Sequence, residues 1–210
     1  MVIVDGPAKP IIRPPAALEV GDLILVRWRE EDLDVLLATL SGTIGHLRPW
    51  MPWASRNDRD SVGQFLAAGE AGWRGGDRFE YSVRDRGRKV LGSAGLMRRI
   101  APGGLELGYW VHVDHTRRGV ATLAAAALTR TALALADVDH VEIHHDEANV
   151  ASGRVPARLG FRNLGTRPAR AQAPGDVGRE VRWRLDMADF PASGASALLA
   201  RAAAQRRTRA

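Results

Sequence analysis

The sequence predicts a single α/β domain of the α+β kind, with a mixed sheet flanked by helices, and three observations carry this prediction. The chain has 210 residues, of which 45% are apolar, and this is enough for one sizeable core. Segments that alternate apolar and polar residues, the pattern of half-buried strands, recur through the first half. In the middle, an alanine-rich segment lies between two strand-like segments, which indicates a strand–helix–strand unit.

The elements of the first half follow from apolar spacing and from turn residues. They are an extended, proline-rich arm at 1–19, a strand at 23–28, a helix at 30–40, an irregular segment at 46–55, a helix at 62–73, and a hairpin of strands at 79–83 and 90–97. Leu33, Leu36, Leu37 and Leu40 share one face of the first helix. Two prolines exclude a regular helix interior from the irregular segment.

The second half begins with the most informative stretch, residues 105–122. The remaining predicted elements are a strand ending at 113, a helix at 121–136, a strand at 138–145, a helix at 149–159, strands at 161–165 and 180–185, and a short alanine-rich helix after Pro191 that frays at its end. Gly160 is the expected stop of the helix at 149–159.

Composition and charge exclude several classes of protein. The chain contains no cysteine, so disulfides, thiolate metal sites and a cysteine nucleophile are excluded. Neither a membrane-spanning apolar run nor a secretory signal is evident, and cytoplasm is the expected compartment. Four of the formal +6 charges are arginines of the last ten residues, which contain no acid, so the rest carries +6 − 4 = +2. This distribution argues against nucleic-acid binding and favours a solvated basic end.

A basic, glycine-bearing turn connects the strand ending at 113 to the next helix. Its residues are Arg117, Arg118, Gly119, Val120, Ala121 and Thr122. A helix start leaves backbone N–H groups unpaired at the positive end of the helix dipole, which suits a phosphate. The turn lacks the spacing of a nucleotide P-loop or of a dinucleotide fingerprint. An anionic, phosphate-bearing cofactor is therefore the first hypothesis, with Val111, His112 and Val113 offering backbone groups to an extended ligand.

Three sequence blocks, by their residues and by their order and spacing along the chain, resemble the GNAT acyltransferases of the RimJ/RimL-like branch. They are Leu-Glu-Leu-Gly-Tyr-Trp at 105–110 with Arg-Arg-Gly-Val-Ala-Thr at 117–122, Asn-Val-Ala-Ser at 149–152 with Arg-Leu-Gly-Phe at 158–161, and His-Leu-Arg-Pro-Trp-Met-Pro-Trp at 46–53. The resemblance covers about residues 20–188 and implies a GNAT-like domain with a twisted, mostly antiparallel sheet. It divides the chain into an arm (1–19), an acyltransferase domain (20–188) and an Ala/Arg-rich tail (189–210).

The resemblance implies transfer of an acyl group, most simply acetyl, from acyl-CoA to a primary amine through a tetrahedral intermediate. The turn at 117–122 would hold the CoA pyrophosphate, with Asn149 and Ser152 also at the cofactor. Thr116 stands where the family usually has Gln or Arg, so backbone N–H groups are expected to do most of the holding. Trp50, Met51 and Trp53 would line the amine pocket, although aromatic clusters more often only cover a core.

Glu106 is the predicted catalytic base. Strand alternation places it with Gly108, Trp110 and His112, opposite Leu105, Leu107, Tyr109 and Val111. A carboxylate beside the thioester could accept the ammonium proton directly or through water. The alternatives are a salt-bridged strand glutamate without a catalytic role, or His112 or His144 as the base.

The resemblance makes Ser152 the predicted proton donor or orienter for the thiolate, since many members of the family carry a tyrosine on the helix at 149–159 and this chain has none there. The alternative is that its hydroxyl caps this helix. Pro156 has no N–H, so the Ser152 carbonyl is expected to be free for a ligand or water. A metal site at His140, His144 and His145 is not expected, because their side chains do not converge on one strand face.

Other interpretations remain open at this stage. A non-catalytic acyl-CoA-binding regulator, or an enzyme using succinyl-CoA or another acyl-CoA, would share these motifs. The acceptor is a protein N-terminus or a small amine, and family resemblance allows a homodimer.

Overall fold

The structure, a computed structural model, describes residues 12–209, so residues 1–11 of the predicted arm lie outside the described residues. Its strands are β1 (Ala17–Val20), β2 (Leu23–Arg27), β3 (Arg78–Asp85), β4 (Val90–Met97), β5 (Gly104–Val111), β6 (His140–Asp146), β7 (Arg162–Pro168) and β8 (Arg179–Asp186). Its helices are α1 (Leu33–Ser41), α2 (Ile44–Leu47), α3 (Arg59–Gly75), α4 (Val120–Leu133), α5 (Val150–Leu159) and α6 (Gly194–Arg209).

All eight strands form one sheet in the order β1-β2-β3-β4-β5-β6-β8-β7. Neighbouring strands are antiparallel except β5 and β6, which are parallel because α4 carries the chain from one to the other. The predicted mixed, mostly antiparallel sheet flanked by helices is therefore confirmed.

Helices cover both faces of the sheet, and each face has its own apolar core. On one face α4 packs over side chains such as Phe79, Leu105 and Ile143, each at most 1% exposed. On the other face α1 and α3 build a smaller core around Trp28 and Leu66. Each such burial contributes about 1.5–3 kcal/mol, so packing, more than local propensity, holds these helices in place.

The parallel pair β5–β6 is short, and the two strands then separate. They are in register only from Gly104 opposite His140 to Glu106 opposite Glu142. Beyond that point β5 continues beside β4 as far as Val111, and β6 continues beside β8 as far as Asp146. A gap consequently opens in the sheet between the carboxyl ends of β5 and β6.

Three elements differ from the sequence predictions. β1 lies within the segment predicted as an extended arm. It forms because Ala17–Val20 pairs with β2, a contact that the local sequence pattern does not predict. α6 is longer than the short frayed helix expected, since Leu199 and Ala202 are buried against the rest of the fold. β7 continues beyond residue 165 to Pro168, across a bulge at Gly165.

Both ends of the described chain thus pack onto the central domain, and the boundaries at 19/20 and 188/189 remain predictions. Between residues 12 and 209, no helix is both long and apolar enough to cross a membrane.

Candidate active site

A cleft of about 1170 Å³ runs along the gap between β5 and β6. Its floor is the sheet, its aromatic wall comes from the segment after α2, and its opposite wall from the start of α5 and the β7–β8 connection. Six of its lining residues were predicted as site residues from the sequence: Trp50, Met51, Trp53, Glu106, Asn149 and Ser152.

Glu106 is the last β5 residue paired with β6 and lies where the two strands separate. Its side chain is 10% exposed and lines the cleft. Arg99 binds both carboxylate oxygens, through Nε to Oε2 at 2.8 Å and through Nη2 to Oε1 at 2.5 Å. This hydrogen bonding raises the pKa of Arg99. Glu106 is therefore both salt-bridged and positioned at the cleft.

His144 extends this charged cluster along β6. Its Nε2 lies 2.7 Å from Glu142 Oε2, and its Nδ1 lies 3.7 Å from Glu106 Oε2. Burial alone would raise the pKa of Glu142, but hydrogen bonds from Arg182 and His144 outweigh it and the pKa is lowered. His144 thus remains beside the predicted base, whereas His112 packs its ring against Gly42 and is not among the cleft-lining side chains of the described chain.

Ser152 meets Tyr109, a residue that the sequence analysis placed on the core face of β5. The Tyr109 hydroxyl donates to the Ser152 carbonyl at 2.9 Å and lies 3.3 Å from Ser152 Oγ. The cap of α5 is Asn149, whose Oδ1 accepts the Ser152 N–H at 3.1 Å. The alternative role of Ser152 as the helix cap is therefore wrong.

The expectation of a free Ser152 carbonyl is also wrong. Pro156 does leave that carbonyl without its helical N–H donor, but the Tyr109 hydroxyl occupies it. Burial raises the pKa of Tyr109, which keeps its hydroxyl protonated. The orphan carbonyl predicted from Pro156 was the only sequence signal for this contact, and it did not identify the partner.

The predicted phosphate-holding turn has the backbone that such a role requires. Arg117 and Gly119 both have positive φ, 61° and 78°, and α4 begins at the next residue, Val120. Within residues 12–209, no side chain caps this helix, so its first N–H groups face outward. Burial, then nearby Lys89 and Arg118, lower the pKa of His115, which precedes the turn. The Thr116 hydroxyl is taken by the Val113 carbonyl at 2.9 Å.

The backbone groups expected to meet an extended ligand are only partly available. The His112 N–H donates to Leu91 O at 2.8 Å, and the Val113 N–H donates to Thr43 Oγ1 at 2.9 Å. Because N–H directions alternate along a strand, those of Tyr109 and Val111 point towards the gap. The Val111 N–H is therefore available to an extended ligand in the gap, as predicted, whereas the N–H groups of His112 and Val113 are already hydrogen-bonded within the protein.

The aromatic wall consists of Trp50, Met51 and Trp53, reinforced by Trp28 and Trp110. Trp53 is 41% exposed and lies 6.2 Å, between ring centroids, from Trp110. Because the Trp53 indole is partly exposed, it does more than cover the hydrophobic core, and it gives the cleft an apolar side.

The histidines of β6 are each engaged with neighbours. His140 pairs with Asp139, and His145 accepts from Trp183 Nε1 at 3.0 Å while its Nδ1 lies 2.7 Å from Asp146 O. Among residues 12–209, no group of three or more histidine or acidic side chains is arranged to hold a metal ion.

Comparison with known proteins identifies the family. The model of the acetyltransferase (GNAT) domain matches residues 22–162, which is more than half of the chain. The chain belongs to the GNAT acetyltransferase family. It is accordingly an acyl-CoA-dependent N-acetyltransferase, with acetyl-CoA as the co-substrate of the family. No curated protein matches this GNAT chain significantly.

Solved GNAT structures share the fold along most of its length. Mycobacterium smegmatis RimJ, in complex with CoA-disulfide, is 22% identical with a TM-score of 0.76, covering 88% of this chain and 92% of RimJ. RimL, a ribosomal L7/L12 α-N-protein acetyltransferase solved with CoA, is 17% identical with a TM-score of 0.75, covering 81% and 97%. The microcin C7 self-immunity acetyltransferase MccE, solved with acetyl-CoA and AMP, is 15% identical with a TM-score of 0.75, covering 82% and 97%. These likenesses show that the chain shares the fold of these three proteins.

Proposed function

We propose that this GNAT enzyme transfers the acetyl group of acetyl-CoA to the α-amine of a protein N-terminus. The single observation that carries the proposal is the gap between β5 and β6, where a cleft with an aromatic wall opens beside the Glu106 carboxylate. Two reactants approaching from opposite faces would meet in this gap, close to Glu106.

The residues present fit a CoA molecule. The turn from Arg118 to Thr122 offers outward N–H groups and positive charge to the pyrophosphate. The gap-facing backbone of Tyr109 and Val111 is free of a strand partner and suits the amides of the pantetheine arm. Acetyl-CoA would supply the acetyl thioester, and the residues of the protein would position the two reactants and transfer the protons.

Glu106 would accept the proton of the acceptor ammonium, directly or through a water. Arg99 holds its carboxylate in one orientation through two hydrogen bonds, and a base has to be positioned in this way beside the ammonium. The gap-facing N–H groups of β5 are candidate donors to the oxyanion that forms when the amine attacks the thioester.

The hydroxyl pair of Tyr109 and Ser152 would protonate the departing thiolate. Both residues line the cleft, Tyr109 from β5 and Ser152 from the start of α5, and their hydroxyl oxygens lie 3.3 Å apart. Ser152 is the donor in this proposal, and Tyr109 holds it through two contacts.

The acceptor assignment rests on the aromatic wall and the carboxylate floor. A primary ammonium is attracted to Glu106 and its neighbours, while an adjacent side chain can pack on Trp50 or Trp53. RimL, a ribosomal L7/L12 α-N-protein acetyltransferase, connects this fold with ribosomal-protein acetylation, and MccE, a self-immunity acetyltransferase, shows that the same fold has other uses. The acceptor class therefore needs direct testing.

An acceptor screen tests the proposal. Thiol release from acetyl-CoA is measured with peptides bearing free N-termini, the same peptides N-terminally blocked but containing lysine, free amino acids and small amines. The proposal predicts turnover with free N-termini and none with the blocked peptides. Turnover with small amines alone would mean that the acceptor is a small amine and not a protein N-terminus. CoA binding without turnover of any amine would favour the non-catalytic regulator.

Three further interpretations remain predictions: acetyl as the preferred acyl group, cytoplasm as the compartment, and a homodimer. Succinyl-CoA belongs in the same screen as a competing donor.

A further inference from the structure

His144 lies in the cleft at the centre of a charged cluster, and its ring faces carboxylates from β5, β6 and β8. Its Nε2 is 2.7 Å from Glu142 Oε2. Its Nδ1 is 3.7 Å from Glu106 Oε2 and 3.9 Å from Glu180 Oε1. The imidazole is therefore placed between the proposed base, Glu106, and a second cleft carboxylate, Glu180.

Each of these three carboxylates has an arginine of its own. The pairs, with N···O distances of 2.5, 2.7 and 2.6 Å, are Glu106 with Arg99, Glu142 with Arg182, and Glu180 with Arg167. Arg182 also lies directly opposite His144 in the register of β6 and β8. Because three acids are balanced by three arginines, the cluster does not need a positive charge on His144. Histidine is also the side chain whose protonation changes most readily near neutral pH.

Glu142 fixes the tautomer of the neutral His144 ring. Burial raises the pKa of Glu142, but hydrogen bonds from Arg182 and His144 lower it further, so this carboxylate is ionised near neutral pH. An ionised carboxylate can only accept a hydrogen bond, and Nε2 must therefore carry the proton that is shared with Glu142. The lone pair of Nδ1 is then free, close to both Glu106 and Glu180.

Solvent exposure increases along the same line of side chains. Glu106 and His144 are 10% and 11% exposed. Glu180 is 24% exposed, and its partner Arg167 is 57% exposed. Arg99 already binds both oxygens of Glu106, and the two reactants would cover this carboxylate further. A proton taken up by Glu106 consequently needs a route to solvent before the next turnover.

We propose that His144 is a proton relay that removes the acceptor's proton from Glu106 after each turnover. In the first step the O–H bond of protonated Glu106 breaks and an N–H bond forms at Nδ1 of His144. In the second step that N–H bond breaks, and Glu180 takes the proton to the solvent side. Both separations exceed a hydrogen bond by about 1 Å or less, so small side-chain rotations close one and then the other. This inference rests on the proposed function, because it takes Glu106 as the base.

The test compares His144→Gln with the wild type, using the best amine acceptor from the screen. The glutamine amide can still donate to Glu142, but it cannot take up a proton. We expect kcat to fall about tenfold or more, with both KM values within about twofold. Imidazole added to the buffer should restore most of the lost rate. The solvent deuterium isotope effect on kcat should rise, because proton removal becomes rate-limiting.

His145→Gln is the matched control. His145 is the next residue of β6, and strand alternation turns its ring to the other face, where Nε2 accepts from Trp183 Nε1 at 3.0 Å. A glutamine can accept the same hydrogen bond. This variant should keep the wild-type kcat and should not respond to imidazole.

Glu180→Gln tests the same route at the exposed end of the cluster, where a substitution leaves the buried side chains in place. Its kcat should also fall, and imidazole should restore it. A wild-type kcat in His144→Gln, or a lower kcat in both variants that imidazole does not restore, would overturn the relay and leave the acetyltransferase activity standing. If wild-type enzyme turns over no amine at all, the proposed function fails, and the relay fails with it.

Discussion

Replacing Tyr109 by phenylalanine removes one hydroxyl and leaves the ring in place. In the structure that hydroxyl is the donor to the Ser152 carbonyl, and Pro156 cannot replace it. Leaving a partly buried carbonyl unpaired costs about 1–2 kcal/mol. For a chain of this size that corresponds to a fall in Tm of about 2–8 °C. The released Ser152 should also lower kcat, by about tenfold if the loss in the transition state is similar.

Tyr81→Phe is the matched control for this prediction. The Tyr81 hydroxyl likewise donates to a backbone carbonyl, that of Pro15 at 2.8 Å, but it lies in the core away from the cleft. It should lower Tm by a similar amount and leave kcat unchanged. Thermal unfolding and steady-state thiol release with the best acceptor measure both quantities.

A second substitution separates stability from catalysis. Pro156→Ala in the Tyr109→Phe background supplies an N–H that can bond the Ser152 carbonyl within α5. Tm should recover while kcat stays low, because the hydroxyl contact with Ser152 Oγ is still missing. If Tyr109→Phe matches Tyr81→Phe in kcat, the Tyr109 hydroxyl has no role in the reaction.

Two other predictions concern the turn and the response to acid. Gly119→Val should raise the KM for acetyl-CoA by about 5–30-fold. No atom obstructs a side chain at this position, but a φ of 78° costs any residue with a Cβ about 1–2 kcal/mol. Gly165→Val is the control, because Gly165 is equally open and has a φ of 94°, and this substitution should not change the KM for acetyl-CoA. Burial alone would raise the pKa of Asp146, but four backbone N–H groups lower it further than burial raises it. Its stabilisation is therefore complete above the ordinary aspartate pKa of about 3.9 and is lost as pH falls through the lower pKa of the folded state. The Tm difference between wild type and Asp146→Asn should shrink towards about pH 2, and a constant difference would contradict this account.

The sequence predicted most of the fold because its signals are local. The helical spacing of the leucines in α1, the alternation along β5 and the glycine after α5 depend only on near neighbours. β1 was missed because a short strand in a proline-rich segment is specified by its partner β2 and by nothing in its own four residues.

The same distinction between local signals and long-range contacts applies to the candidate site. Glu106, Ser152 and the turn at Gly119 could be predicted because motifs and alternation mark them. The contact between Tyr109 and Ser152 and the hydrogen bonds that Asp146 accepts from the backbone of residues 177–179 were missed because each joins residues at least 30 positions apart. Such pairs depend on how far apart β5 and β6 spread, a distance that no pattern in either strand specifies.

The pH–rate profile of Glu106→Gln tests the central claim most directly. Glu80→Gln is its control, since Glu80 is also a buried cleft carboxylate bonded to an arginine, Arg78, at 2.8 Å. Loss of a general base should lower kcat by about 100-fold or more, with the KM for acetyl-CoA nearly unchanged, while Glu80→Gln keeps its kcat. A Glu106→Gln enzyme that retains the wild-type rate across the pH range would remove Glu106 from the mechanism and leave His144 as the base to examine.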